Sequence, residues 1–449
     1  MAKNQEMDMT SGSIFNKMIV FTIPVVLTGI LQLLYNAADI AVVGKFSGKE
    51  ALAAVGAATP LANLLLNFFI GLSAGSNVVL ANSCGEGNEK KISDTVHTSF
   101  LLSIICGILF GIFGFIFSKP MLLLMNTPKD TLELADVYIK ILFLGMPASL
   151  VYNFGAAMLR AIGDTKRPLY FLIITGIVNV VLNLVLVIVF KMSVAGVAIA
   201  TIISQYISAI LILIRFAKSS GSYKLNFKKL KFTKNMLSRI LALGIPSGIQ
   251  STVFSISNTI IQSAVNGFGS VAVAGNSISL NIEGFVYTAG NAVSQATISF
   301  TGQNFGAGKI DRIKKVFMYG CAISSAITVL LSGLAIVFIE PLSKIYTSSA
   351  EVIEYSVLRM YWIGPAYILC AIMDIILGSF RGMGKSFTSM VACISGVCGI
   401  RIVWVFTVFK LFPTLPVLYS SYTASWIGTT IILLIVLSKT FKKIAKQFA

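Results

Sequence analysis

Residues 14–44 read IFNKMIVFTIPVVLTGILQLLYNAADIAVVG, an apolar run that carries only two charged side chains, Lys17 and Asp39. A bilayer core about 30 Å thick is crossed by roughly 20 apolar residues in a helix, so this run is long enough to span. The first 13 residues are polar and no small-residue cleavage site follows the run, which predicts a retained first helix rather than a removed signal peptide. Moving outward, runs of the same kind recur near 51–82, 95–117, 134–159, 168–190, 194–216, 237–266, 271–302, 316–339, 352–379, 387–410 and 417–438. About twelve spans result, and no stretch is left for a separate soluble domain. The composition agrees: 56% of residues are hydrophobic and 12% are charged, against about a quarter charged in soluble domains.

The net charge of +18 raises the possibility of a nucleic-acid partner. A nucleic-acid binder gathers its basic residues on a folded polar surface, whereas here they lie between apolar runs, so no nucleic-acid partner is expected. With both termini cytoplasmic, 25 of the 35 Lys and Arg fall on inner segments, while acidic residues divide evenly, 7 inside and 7 outside. Orientation follows Lys and Arg rather than net charge, so the excess is topogenic. The segment Arg215 to Arg239 holds eight basic residues and no acid, which makes it cytoplasmic and gives it a secondary reading as a contact for membrane lipid.

The halves are written twice. Ile23-Pro24 matches Ile245-Pro246, Asn36 matches Asn258, Gly85-Glu86-Gly87 matches Gly306-Ala307-Gly308, and Leu159-Arg160-Ala161-Ile162-Gly163 matches Phe380-Arg381-Gly382-Met383-Gly384. An offset of six helices keeps each partner on the same membrane face. The expected architecture is therefore an all-α integral membrane protein of twelve transmembrane helices in two six-helix lobes related by a parallel repeat. An N-lobe at 1–216, a basic linker at 217–236 and a C-lobe at 237–449 follow from these boundaries.

Ionisable groups inside the spans are read as Asp39, Glu283, Asp374 and Arg401, and each must face a cavity, a partner or a proton. Asp39 lies roughly 8 Å inside the outer end of span 1, counting ~1.5 Å per residue. Asn183 and Asn179 on span 5, Thr201 on span 6 and Tyr35 one turn deeper than Asp39 reach similar depths, which predicts an ion-coupling cluster. Glu283 and Arg401 reach roughly 18 and 14 Å, close enough at ~1.5 Å per residue to predict a buried ion pair. Asp374, nearer the cytoplasmic end of its span, reads with Glu283 as a substrate-cavity or structural acid. His97, the only histidine, and six cysteines in or beside apolar segments offer no metal-ligand spacing, so these residues predict no metal site, and Na⁺ at Asp39 enters only with the family resemblance given below. Scattered carboxylates with one interfacial histidine make no catalytic constellation.

The strings NAADIAVVGKF from Asn36, GEGN at Gly85, LRAIGDTKRP from Leu159, NIEGFVY from Asn281, GQNFGAGK from Gly302 and FRGMGKS from Phe380 together resemble the multidrug and toxic compound extrusion (MATE) family over nearly the whole chain. The resemblance implies two six-helix lobes around a central cleft and alternating access. It implies export of small amphipathic, often cationic compounds in exchange for H⁺ or Na⁺, with no cofactor and no enzymatic activity. It also implies a monomer in the plasma membrane of a bacterial or archaeal cell. Asp39, Tyr35, Asn179 and Thr201 fit its pattern of a first-helix aspartate with polar partners. Asn183 stands where some members carry a second acid, and span 7 has no acid where one sodium-coupled branch has one. A flippase for lipid-linked or polysaccharide precursors is the alternative, and it would need a strongly cationic cleft.

Overall fold

The computed structural model describes residues 7–125 and 127–448, with side chains described as far as residue 443. Among the described residues every regular element is helical. The α-helices are α1 (Ile14–Phe46), α2 (Gly48–Gly85), α3 (Glu89–Leu124), α4 (Lys129–Leu144), α5 (Met146–Ala161), α6 (Lys166–Leu184), α7 (Ser193–Ala217), α8 (Lys234–Asn266), α9 (Ser270–Gly306), α10 (Ile310–Val337), α11 (Ile339–Lys344), α12 (Ala350–Ile363), α13 (Tyr367–Gly382), α14 (Ser386–Cys393), α15 (Ile400–Phe406), α16 (Val408–Leu411) and α17 (Leu415–Phe448). Ten of these helices, some continued across short breaks, are long and apolar enough to cross a membrane, and the pair α4 and α5 adds an eleventh bent by 49°. The bend falls at Gly145, just before Pro147, whose ring cannot donate to the helical ladder and restricts the residue ahead of it. The fourth span expected as one helix is thus broken.

The 37-residue α9 has span length but a polar sequence. It packs against α10, α12 and α13, so its Asn, Ser, Thr and Glu side chains meet protein instead of lipid. Two π turns interrupt other spans, Val185–Val189 after α6 and Ile394–Gly399 between α14 and α15. The paired sequence strings have a common physical origin. Gly163 after α5 and Gly384 after α13 stand at φ of 84° and 74°, a left-handed conformation that a Cβ disfavours. Around them Asp164 N bonds Leu159 O at 2.9 Å and Lys385 N bonds Phe380 O at 2.8 Å, the six-to-one closure that satisfies the last carbonyls of a helix.

The described residues divide into two compact units, one of residue 7 with residues 27–248, the other of residues 8–26 and 249–448. Each unit therefore differs from the half-chain expected for it. In α1 the boundary follows Pro24 and in α8 it follows Pro246, the matched prolines at which the backbone ladder is already interrupted. The beginning of α8 contributes Met236 and Ile240 to the core of the first unit. The beginning of α1 belongs to the second, where Met9, Met18 and Phe21 are fully buried and the Phe21 ring meets Phe300 edge-on at 5.7 Å. The segment ahead of α1 is held there by its main chain. Met9 N donates to Gln303 Oε1, Asn304 donates to Met9 O, and Arg312 donates to the carbonyls of Met9, Ser11 and Gly12.

Candidate functional site

In the first unit, α1, α6 and α7 bring four of the five expected coupling residues together. Asn183 Nδ2 donates to Asp39 Oδ1 and also to Asn179 Oδ1 at 3.2 Å. Thr201 Oγ1 lies 3.5 Å from Asp39 Oδ2 but only 2.9 Å from Val197 O. A hydroxyl has one proton to give, so its bond to its own helix competes with the one to the carboxylate. Asn179 Nδ2 is 3.5 Å from the same hydroxyl. Asn179 and Asn183 are buried, Asp39 is half-buried, and the buried Oδ1 of Asn183 receives no hydrogen bond. No ammonium or guanidinium among the described residues forms an ion pair with Asp39.

Tyr35, expected in this cluster, points elsewhere. Its hydroxyl donates to Leu172 O at 3.2 Å, and its ring lies so close to α6 that a Cβ on Gly176 would fall 1.7 Å from Tyr35 Cζ. It seats α1 on α6 one turn from Asp39 and makes no bond to the carboxylate. Tyr138 on α4 was not expected. It is buried within electrostatic reach of Asp39, and nothing in a one-dimensional depth count could bring span 4 into the site.

In the second unit the predicted Glu283–Arg401 pair does not form. Glu283 pairs with Arg359 of α12 through two parallel bonds of 2.9 Å, Nε to Oε1 and Nη2 to Oε2. Ser279 and Tyr367 each donate to the carboxylate at 3.0 Å, and Arg359 Nη1 donates to Asn276 Oδ1 at 2.9 Å. The reason is adjacency: α12 packs directly on α9, whereas α15, which carries Arg401, packs on α17. Arg401 is buried against the Tyr422 ring, 4.2 Å from its centroid, with Nε on Ser425 and Nη1 on Asn258. Phe254 and Trp426 flank it. Glu283 is thus fully engaged in protein bonds.

Asp374 on α13 is half-buried, and its carboxylate accepts no hydrogen bond from a described residue. Its charged neighbour is Arg381, two turns further along the same helix. Ser294 donates to the Asp374 carbonyl at 2.8 Å, which ties α9 to α13. His97 is spent on structure: Nδ1 donates to Ser93 O at 2.7 Å and Nε2 accepts from Asn226 N at 3.1 Å. Among the described residues no three His, Cys, Asp or Glu gather as a metal site.

This architecture recurs in solved structures. An outward-facing multidrug resistance MATE family transporter of the MOP superfamily superposes with a TM-score of 0.91 over 98% of both chains at 21% identity. A MOP superfamily transporter from Pyrococcus furiosus gives the same TM-score and identity over 97% of this chain and 98% of that one. In sequence, the chain is 29% identical over 400 residues to a probable multidrug resistance protein of Bacillus subtilis, covering 87% of this chain and 86% of the relative. It is 26% identical to a probable multidrug resistance protein of Thermotoga maritima, covering 86% and 84%. It is 23% identical to an FAD transporter of Shewanella oneidensis, covering 81% and 82%. The MatE family model matches twice, over residues 24–185 and 246–407, each match beginning at one of the paired prolines. The chain belongs to the MATE family of membrane transporters, with one copy of the family repeat in each half.

Proposed function

We propose that this transporter exports small amphipathic, predominantly cationic organic compounds in exchange for H⁺ or Na⁺, with Asp39 as the residue that takes up the coupling ion. The observation that carries the reading is a half-buried carboxylate whose polar neighbours are neutral amides and a hydroxyl, with no basic side chain among the described residues to hold it permanently charged. A carboxylate so placed can exchange its countercharge for an arriving cation. For Na⁺, the orphaned Oδ1 of Asn183 and the hydroxyl of Thr201 supply further oxygen ligands of the kind a hard cation takes. For H⁺, the same amide remains a donor to the second carboxyl oxygen.

A proton on Asp39 weakens its claim on Asn183 and Thr201, so α1 is held less firmly against α6 and α7, whereas Na⁺ ties the carboxylate to the oxygens of both residues; in each case loading changes how α1 is held. A coupling ion biases two conformations only by its differential affinity for them, and this linkage supplies the difference. Substrate release outward follows loading, and return of the ion inward resets the cluster, with both termini cytoplasmic and the chain acting as a monomer in the plasma membrane. Asp374, whose carboxylate has no hydrogen-bond donor among the described residues, is the acid proposed to meet cationic substrate. Glu283, consumed by Arg359, is assigned a structural role.

The test is efflux in proteoliposomes under separate pH and Na⁺ gradients. Wild type should export a cationic dye under one gradient and Asp39→Asn under neither, with equal insertion. Dye export by Asp39→Asn at the wild-type rate would remove Asp39 from the mechanism.

A further inference from the structure

We infer that residues 224–234, KLNFKKLKFTK, form a docking surface for the anionic phospholipid headgroups of the leaflet they face. The segment joins two membrane-crossing helices, α7 ending at Ala217 and α8 starting at Lys234, so it lies where headgroups are. It is pinned at both ends to the first unit. Leu225, 2% exposed, sits in a core cluster beside Phe216, and its N–H bonds Phe216 O at 3.0 Å. Asn226 N bonds His97 Nε2 at 3.1 Å, and Thr233 N bonds Thr98 Oγ1 at 3.2 Å. Leu230 plugs the middle against the same cluster.

Between these anchors the chain presents a consistent outer surface. Phe227 is 56% exposed and Phe232 40%, and Lys224, Lys228, Lys229, Lys231 and Lys234 are all exposed. None of the five lysines pairs with a described carboxylate, although lysines elsewhere do so, as in Lys91–Glu86, Lys119–Glu133 and Lys314–Asp311. Topology accounts for basic residues on this face, but it does not account for two phenylalanine rings turned outward among them. Nor does pinning require them. The six residues ahead of α1, Asp8 to Ser13, are held through their main chain without a lysine or an aromatic ring. Interleaved lysines and apolar rings fit an anionic interface, where the ammonium groups meet phosphate and the rings enter the acyl boundary. A segment tied at each end to a spanning helix is already at that boundary, which favours lipid over a soluble polyanion.

The experiment is hydrogen exchange of amides 226–233 in the full-length protein, in nanodiscs of pure phosphatidylcholine and in discs with one third phosphatidylglycerol. Exchange should slow in the anionic discs by about fivefold for each lysine that engages a headgroup. In the triple variant Lys228→Gln, Lys229→Gln, Lys231→Gln the difference between the two disc types should shrink by about fivefold for each of these lysines that engages a headgroup, with peptides of α3 exchanging as in wild type. Equal exchange of the wild type in both discs overturns the inference, and so does a lipid response that is undiminished in the triple variant. Protection that arises on adding an RNA oligomer to phosphatidylcholine discs, but not with phosphatidylglycerol, also overturns it, in favour of a soluble polyanion.

Discussion

Asn183 Nδ2 donates a hydrogen bond to Asp39 Oδ1 across the contact of α6 with α1, and the amide's own oxygen is left buried without a donor. This couples the charge on α1 to the placement of α6. Replacing the amide by an isosteric hydrocarbon, Asn183→Leu, removes a bond to a charged group, worth about 1.5–3 kcal/mol. Half-saturation by the coupling ion should shift by roughly tenfold or more, read as ion dependence of dye efflux. Tyr35→Phe, which breaks only the bond to Leu172, should leave that dependence within about twofold.

The Glu283–Arg359 pair is closed, bidentate and buried, so removing one partner leaves the other uncompensated. Arg359→Leu should cost about 3–5 kcal/mol of stability, and Glu283→Leu with Arg359→Leu should recover much of it. Thermal unfolding in a fixed lipid or detergent checks both. Charge exchange between Glu283 and Arg359 should restore part of the loss, while exchange between Glu283 and Arg401 should restore none.

The segment ahead of α1 has its own pH signature. Burial raises the Asp8 carboxyl, but hydrogen bonds from Ser11 and Thr10 and the Lys17 ammonium outweigh it and bring the group from 3.8 down to about 2. A depressed native value stabilises the docked segment at any pH above 3.8, and that contribution fades as pH falls toward about 2. Hydrogen exchange of residues 9–12 should therefore be independent of pH-linked opening near neutrality. Asp8→Asn should raise it at pH 7. Arg312→Ala, which deletes donors to Met9, Ser11 and Gly12, should raise it further.

Matched glycines should respond unequally to the same substitution. Gly384→Ala meets open space and carries only the cost of its left-handed backbone, about 1 kcal/mol. Gly163→Ala carries the same backbone cost and in addition would set its Cβ 2.7 Å from Met7 main-chain atoms. The melting temperature should fall more for Gly163→Ala.

Depth along the membrane normal is legible in a sequence, because rise per residue is fixed, and it placed Asp39, Asn179, Asn183 and Thr201 at one level. Azimuth and neighbour are not legible in the same way. Tyr35 sits at nearly the right depth yet faces Leu172, and Arg401 matched Glu283 in depth while lying on a helix that packs elsewhere. Arg359 lies seven residues inside the start of its span at 352, deeper than Asp39 in its own span, so depth reaches it as well; its neighbour Glu283 on α9 is what a depth count does not supply. The paired Gly and Pro strings showed the repeat because each fixes a backbone event, a left-handed cap or a missing donor. The Gly145 break left only the faint signal of Pro147, and Tyr138 left none, since an aromatic residue in an apolar run is ordinary.

The main-chain clamp on Met9 has a bearing on biogenesis. The segment at Met9 is synthesised well before the amide and guanidinium groups that hold it, which lie nearly three hundred positions downstream at Gln303, Asn304 and Arg312. Until translation has passed Arg312, residues 9–12 lack the groups that clamp them, so a stretch made early is locked late.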